Sequence, residues 1–335
     1  MINPGLQKYE FVLNNQYYLR ELLESIILED SLDEIAYRAT VRLAVTSELQ
    51  KIGISPGQVA RVSGVPFGGS SMVYLLHPGV VWECDSQTKG LKHLTATIYD
   101  RSIYISKSEE EYLFPAGQTA TQRISQVADE WGIPLKSNLA DTSIILAKSA
   151  SANQKNTIWG HFQNWLKETV AKGGDMYRPR MTPDGLELFK IGSNKTVWVL
   201  ESDQNLEEIS QKRTLEGAVT RVKVVGNAAE GERSPVLAVV DGETSLGTLQ
   251  KLHSDEKITD AGAARTAGQE LLAGIQETFN VQGIDINTIR AGDKVQLNSI
   301  ELIVVSVRHE LGSPGHMSLE LLSEDFVRRR YFEPV

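Results

Sequence analysis

Cysteine is nearly absent: Cys84 stands alone in 335 residues. No internal disulfide can form and no cysteine-based zinc cage can be built, and an isolated cysteine is by default a small buried hydrophobe rather than a nucleophile. Long apolar runs are missing too. No eighteen consecutive apolar residues occur, and the start MINPGLQKYE has no apolar segment behind a basic end, so neither a transmembrane helix nor a signal peptide is expected. On that reading the protein is made and kept in the cytoplasm, or leaves only by lysis. A basic excess is also lacking. Net charge is −9, divided as −2 over residues 1–105, +1 over 106–195 and −8 over 196–335. A protein that grips phosphates needs the opposite balance, which argues against nucleic-acid binding.

The six histidines build nothing by spacing. His309-Glu310 followed by His316 is not a zinc motif, which needs two histidines four apart on one helical face, and this stretch reads as strand, turn, strand. His77 and His93 flank Cys84, but nearness in sequence does not make a triad on strands whose side chains alternate faces. Gly68-Gly69 is followed by neither Lys-Ser nor Lys-Thr nor a helix, so a hairpin loop is expected there, not a phosphate cradle. No catalytic, cofactor-binding or metal-binding residue is therefore expected, and no enzymatic activity.

What is present is β pattern. At 41% hydrophobic, a chain this long buries more than one core, and two or three domains are expected. Tyr37, Ala39, Val41, Leu43 and Val45 alternate with Arg38, Thr40 and Arg42, the period of a strand. Val59–Val62, MVYLL, the turn HPG, VVWEC and Leu94–Tyr99 continue in the same vein. Near the other end, Val295 and Leu297, then Ile300, Leu302, Val304 and Ser306, alternate as half-buried strands after the turn Arg290-Ala291-Gly292-Asp293. Two landmarks recur in order. Ile54-Ser55-Pro56-Gly57-Gln58 precedes Ala60 and Val62 as Ile289-Arg290-Ala291-Gly292-Asp293 precedes Val295 and Leu297. His93-Leu94-Thr95-Ala96-Thr97-Ile98 echoes His316-Met317-Ser318-Leu319-Glu320-Leu321. One all-β module thus occurs twice, over residues 1–105 and 196–335.

Between the copies, residues 106–195 change to helical spacing. Thr119 and Gln122 form a capping box ahead of Ile124, Val127, Ala128 and Trp131, and Gly132 and Pro134 end the helix. A second helix from near Asn156 puts Ile158, Phe162, Trp165, Leu166 and Val170 on one face and stops at Gly173-Gly174. Tyr177–Met181, Pro183-Asp184-Gly185 and Leu186–Ile191 read as a hairpin, completing a small α+β domain. In the last segment, strands are expected over Thr196–Glu201 and Leu215–Val225, an exposed hairpin tip at GNAAEGERSP, and a helix from about Asp260 to Ala273. The tail VRRRYFEPV reads as basic and solvated.

The stretches ESIILEDSLDEIAYRATVRL, LTATIYDRSIYISKSEEEYLFPAGQTATQRISQVADEWGIP, VTRVKVVG, LGTLQKLHSDE, IRAGDKVQL and GHMSLEL resemble, in order, the XkdQ/YqbQ family of phage-like element PBSX and related prophages. More distantly the chain is similar to late-control D proteins of contractile phages and to the N-terminal half of VgrG. The resemblance implies a mainly β fold with two similar tube-type β-barrels flanking the α+β domain. It implies a structural baseplate hub protein, a homotrimer joining the six-fold tail tube to the three-fold spike. Its implied partners are the tail spike protein, the tail tube protein, other baseplate proteins and the tape measure protein, with no membrane and no specific nucleic-acid binding, although DNA would pass through the channel. Its place would be the virion or a tail-like particle, assembled in the host cytoplasm. No catalytic residue or cofactor comes with the family.

One rival reading is a peptidoglycan-binding or cell-wall-degrading tail protein. Tyr112-Leu113-Phe114-Pro115-Ala116-Gly117-Gln118-Thr119 is similar to the opening of a LysM domain, but Gln118 and Ala120 stand where that motif has Asp and Leu. A further expectation concerns the channel: duplex must slide freely, so the acidic segment 196–335 is expected to contribute acidic side chains to the lumen and the middle domain to lie outside, the alternative being that this acid keeps an outer surface soluble; a lumen lined by Arg221, Lys223, Arg290 and Lys294 would contradict the first reading.

Overall fold

The computed structural model describes residues 4–87, 92–148, 156–202, 204–227, 232–254 and 258–333. It divides into two compact units, one of Met1–Ser210 with Phe279–Val335, the other Gln211–Thr278. The first unit is mainly β with an α+β insertion.

The chain opens with β1 (Tyr9–Leu13), β2 (Tyr17–Tyr18), β3 (Leu23–Ser31) and β4 (Arg38–Ala44). As the alternation requires, Ala39, Val41 and Leu43 are fully buried while Arg42 is exposed. After α1 (Ser47–Ile52) come β5 (Val59–Gly64), β6 (Val73–Gln87) and β7 (His93–Asp100). The expected turn at HPG is absent: β6 runs through it as one strand. Pro78, which has no N–H to give, sits where the β5–β6 ladder slips register. Gly79 beside it is obligatory, since a Cβ there would stand 2.7 Å from the Ala60 carbonyl oxygen and 2.6 Å from a Leu76 methyl.

Next come α2 (Ile103–Lys107), β8 (Glu109–Glu110), α3 (Ala120–Glu130), β9 (Asn156–Thr157), α4 (Ile158–Ala171) and the hairpin β10 (Tyr177–Thr182) and β11 (Gly185–Lys190). The capping box forms as read, with Thr119 accepting from Gln122 N and Gln122 accepting from Thr119 N. Ile124, Val127, Phe162, Trp165, Leu166, Met181 and Leu186 share one core. Trp131 departs from the helix stripe: it is 40% exposed, and its ring N–H donates to Tyr112 OH at 2.7 Å.

The chain continues through β12 (Trp198–Leu200), β13 (Leu206–Thr214), β14 (Arg221–Val225), β15 (Val236–Asp241), β16 (Gln250–Ser254), α5 (Ala261–Glu270), β17 (Gln276–Ile284), β18 (Lys294–Leu297), β19 (Ile300–Glu310), β20 (His316–Leu322) and α6 (Glu324–Tyr331). In the second unit β14 pairs β15 antiparallel and β16 parallel. One face of this sheet, Val222, Val224 and Ala238, packs with Ala264 of α5. The strand expected over Leu215–Val225 begins only at Arg221, and β13 was not foreseen. Its charged Glu-Glu-Ile-Ser-Gln-Lys-Arg run shows no apolar alternation because its side chains from Glu207 on are mostly exposed. The helix expected to reach Ala273 ends at Glu270, since Ala273 bridges to Val219. Residues 228–231, in the expected hairpin tip, lie outside the described residues, though β14 and β15 on either side pair as a hairpin.

Strands from both β segments belong to one 13-stranded sheet, ordered β13-β17-β20-β19-β3-β4-β7-β6-β5-β1-β2, with β18 joining β19 and β12. β13 and β2 end that order, and no closed barrel forms among the described residues, in place of the two barrels expected. Antiparallel pairing of β19 with β3 joins the two halves. The alternation read for β19 holds only in part: Leu302, Ile303, Val304 and Val305 are all buried, while Ile300 is 52% exposed. Leu302 and Val304 line one core, and Ile303 and Val305 face the α3–α4 core on the other side. The tail is likewise not simply solvated. Its α6 is capped by Ser323, and Val327 and Phe332 join the same α3–α4 core, while Arg328 and Arg329 are half-buried and Arg330 is exposed.

The two glycine turns match at the level of individual hydrogen bonds. Gly57 N donates to Val81 O and Val81 N to Gln58 O; Gly292 N donates to Val304 O and Val304 N to Asp293 O. The side chains of Gln58 and Asp293 both accept the amide three residues back, Ser55 N and Arg290 N. Gly57 and Gly292 share a left-handed φ, 91° and 85°. Each copy then forms an antiparallel triplet, β5-β6-β7 and β18-β19-β20. Val80↔Tyr99 and Val81↔Ile98 match Ile303↔Leu322 and Val304↔Leu321. The bulge between Val81 and Glu83 recurs between Val304 and Ser306, and a helix follows each triplet. In sequence the second unit runs from the end of β13 through β14, β15, β16 and α5 to the start of β17.

Candidate assembly site

Where the two copies join, three arginines and two aspartates are buried together. Asp30 on β3 accepts from Arg178 of β10 at 3.0 Å, from Arg290 Nε, and from Ala291 N at 3.2 Å. Arg178 also donates to Ala291 O at 2.8 Å, and Arg180 to Ala291 O and, at 2.8 Å, to Asp293. The Arg290 guanidinium lies 3.7 Å from the Tyr37 ring centroid and that of Arg180 3.6 Å from Phe189. One cluster thus ties β3, the hairpin of the α+β insertion and the glycine turn of the second copy.

Local chemistry explains the placement. Arg178 and Arg180 are two apart on β10, so both point from one face, and the hairpin β10–β11 delivers them to the Ala291–Asp293 turn. Burial alone would raise the Asp30 carboxyl, but Arg178, Arg290 and Arg180 outweigh it and hold the group well below the usual carboxylate range. Burial lowers Arg180 to about 10 despite Asp293. Asp100, whose oxygens accept from Tyr37 N, Ser102 N and the Ser102 hydroxyl, has no cation bonded to it among the described residues, and burial pushes it up to about 6. Such a cluster has the chemistry of a structural clamp: each of the three guanidiniums bonds one of the two carboxylates, and Arg178 and Arg180 also bond the Ala291 carbonyl.

The sequence reading singled out the Arg290–Asp293 turn but missed Asp30, Arg178 and Arg180. The available signal was a pair of arginines spaced i, i+2 across Pro179 in a strand with apolar neighbours. The histidines are held apart. His309 is fully buried between Asp285 (2.6 Å) and the Ile289 carbonyl (2.8 Å), His93 meets Glu24, His316 meets Glu207, and His77 stacks on Tyr74. No group of three or more His, Cys, Asp or Glu among the described residues could hold a metal ion. Cys84 is half-buried, and burial together with Glu83 raises its thiol. The two aromatics of the LysM-like segment are core: Tyr112 and Phe114 are 9% exposed and their rings pack with Trp165. Among the cations whose facing the lumen would contradict the acidic-wall reading, Arg290 is buried against Asp30, Lys294 pairs with Glu301 and Arg221 with Asp241.

Known proteins resemble this chain in sequence and in fold. YqbQ of Bacillus subtilis (strain 168) is 23% identical over 245 residues, 70% of this chain and 74% of YqbQ. The phage-like element PBSX protein XkdQ of the same organism is 24% identical over 246 residues, 69% of this chain and 74% of XkdQ. Among solved structures, the 43 kDa tail protein of prophage MuSo2 from Shewanella oneidensis superposes with a TM-score of 0.69 at 12% identity, covering 95% of this chain and 98% of that one. The YQBQ-like family matches residues 39–322, and the chain belongs to it.

Proposed function

We propose that the chain is a structural, non-catalytic baseplate hub protein of a contractile phage tail or tail-like particle, acting as a homotrimer between the six-fold tail tube and the three-fold spike. The observation that carries this is the repeat: three chains of two equivalent β modules present six similar modules under three-fold symmetry, so one ring matches both neighbours. The likeness to a prophage tail protein and to XkdQ supports the setting. In this reading residues 1–105 and 196–335 act as tube-type modules, their sheets completed into barrel walls by the assembly, and 106–195 braces them. The tail tube, spike, other baseplate proteins and the tape measure protein are its partners, DNA passes through without sequence-specific contact, and the virion or tail-like particle is its place.

Light scattering and negative-stain microscopy of the purified protein test it. A three-chain ring with a central channel that binds purified tube or spike protein is expected; a monomer that binds neither overturns the proposal. A peptidoglycan pull-down is expected to retain nothing, because the aromatics of the LysM-like stretch are spent on the core.

A further inference from the structure

The junction between the repeats, β19 against β3, has a vacant counterpart elsewhere in the molecule. By the register above, Ser306–Glu310 of β19 correspond to Glu83–Gln87 of β6. The former are flanked by β20 and β3, whereas the latter, among the described residues, have β7 on one side and no strand on the other. The counterpart of β3 is β13. Val45 N donates to Lys92 O as Asp285 N does to Gly315 O, which aligns β4 with β17. Ile284 N donates to Asn205 O, and Arg213 meets Glu277 at 2.8 Å, where the alignment puts Asp30 opposite Tyr37. Leu206 and Ile209, three apart, pack towards one core as Leu23 and Ile26 do across the β3 bulge. β13 ends the sheet, with its outer edge free among the described residues.

We propose that β6 of one copy pairs antiparallel with β13 of the next, repeating between chains the β19–β3 junction found within the chain. Transferring Arg308↔Glu29 and Val307↔Asp30 gives Asp85 opposite Lys212 and Cys84 opposite Arg213, with Glu83 opposite Thr214. The charges support a second copy of this chain as occupant. Within the chain Arg308 bonds Glu29 at 3.3 Å; between chains the same position holds Asp85 and Lys212, an ion pair of reversed sense. Asp85 on one edge meets Lys212 on the other directly and Glu83 meets it diagonally, while pairing the β6 edge with itself about Cys84 would oppose Glu83 and Asp85. The contact is therefore head-to-tail, the kind that closes rings. This rests on the hub reading, to which it adds the interface.

Within the chain, Leu32 N donates to Val305 O and Leu311 N to Ile26 O, so Arg308 and Glu29 form a non-hydrogen-bonded pair. Their equivalents Asp85 and Lys212 would have Cα atoms about 4.5 Å apart, within disulfide range. The test uses the full chain in a Cys84→Ser background carrying Asp85→Cys and Lys212→Cys, oxidised with copper–phenanthroline. Non-reducing gels are expected to show cross-linked species up to three chains of 37.0 kDa each. Asp85→Cys with Gln211→Cys, a one-residue slip that sets the sulfurs on opposite faces, is expected to give none. Asp85→Lys or Lys212→Asp alone is expected to weaken association about tenfold, and the double exchange to restore it, since opposed charges attract and like charges repel across a strand pair. A trimer without the 85–212 cross-link, or a slip variant that links equally well, overturns the register while leaving the hub reading intact. A chain that stays monomeric and unlinked overturns both.

Discussion

Replacing Asp30 by Asn tests whether the buried cluster clamps the two copies together. The carboxylate has both oxygens committed, Oδ1 to Arg178 and Oδ2 to Arg290 and Ala291 N. An asparagine keeps one oxygen and must turn its NH2 towards a guanidinium or a backbone N–H, setting donor against donor. Arg178 has a side chain only 5% exposed and Arg290 only 18%, so neither can turn to water. Removing one partner of such a group costs about 3–5 kcal/mol, against roughly 0–1 kcal/mol for Glu29→Gln, whose pairs with Arg38 and Arg308 are half-exposed. Urea unfolding followed by circular dichroism compares the two. The acid limb gives a second readout. The Asp30 pKa is lowered by folding, so its contribution is fully present above its unfolded value near 3.8 and is lost as pH falls below it. The Asn variant is expected to lack that part of the acid loss. A cost under about 1 kcal/mol by the same assay, with the acid limb unchanged, would refute the reasoning.

Three further outcomes are expected. Asp100 moves oppositely: burial raises its folded value to about 6, above the ordinary 3.8, so its contribution is fully present below about 3.8 and is lost as pH rises through 6; Asp100→Asn should flatten stability between those values in a pH series of denaturation midpoints. Gly79→Ala forces a methyl against the Ala60 carbonyl and Leu76 and should cost about 1–3 kcal/mol in urea unfolding. Thr119→Ala removes the capping box of α3 and should cost about 1 kcal/mol, with Thr119→Ser close to neutral in the same measurement.

Short-range features were legible because local rules dictate them: the glycine turns need a left-handed residue, the capping box needs Thr and Gln three apart, and β4 needs alternation. The repeat was visible for the same reason, its turns being the places where the backbone tolerates few residues. Long-range features were not. β19 is buried on two sides because α3 and α4, more than a hundred residues earlier, cover its second face, and no period-two pattern records that. β13 carries charge along an edge and so resembles a loop. The tail helix hides Val327 and Phe332 among three arginines. The HPG turn failed through a real ambiguity, since Pro-Gly marks a bulge as readily as a reversal.

The β19–β3 pairing sets the order in which a nascent chain can complete its sheet. β3 occupies residues 23–31 and its partner segment 306–310, so all of residues 32–305 must be synthesised before that edge is covered. At translation speeds of about 5–20 residues per second the interval is tens of seconds. Through it the edge is guarded by its own sequence. Glu24, Glu29 and Asp30 are spread along β3, charges that discourage pairing with another emerging chain. Two of those guards then acquire a second use, since Asp30 receives Arg178 and Arg290 and Glu29 receives Arg38 and Arg308.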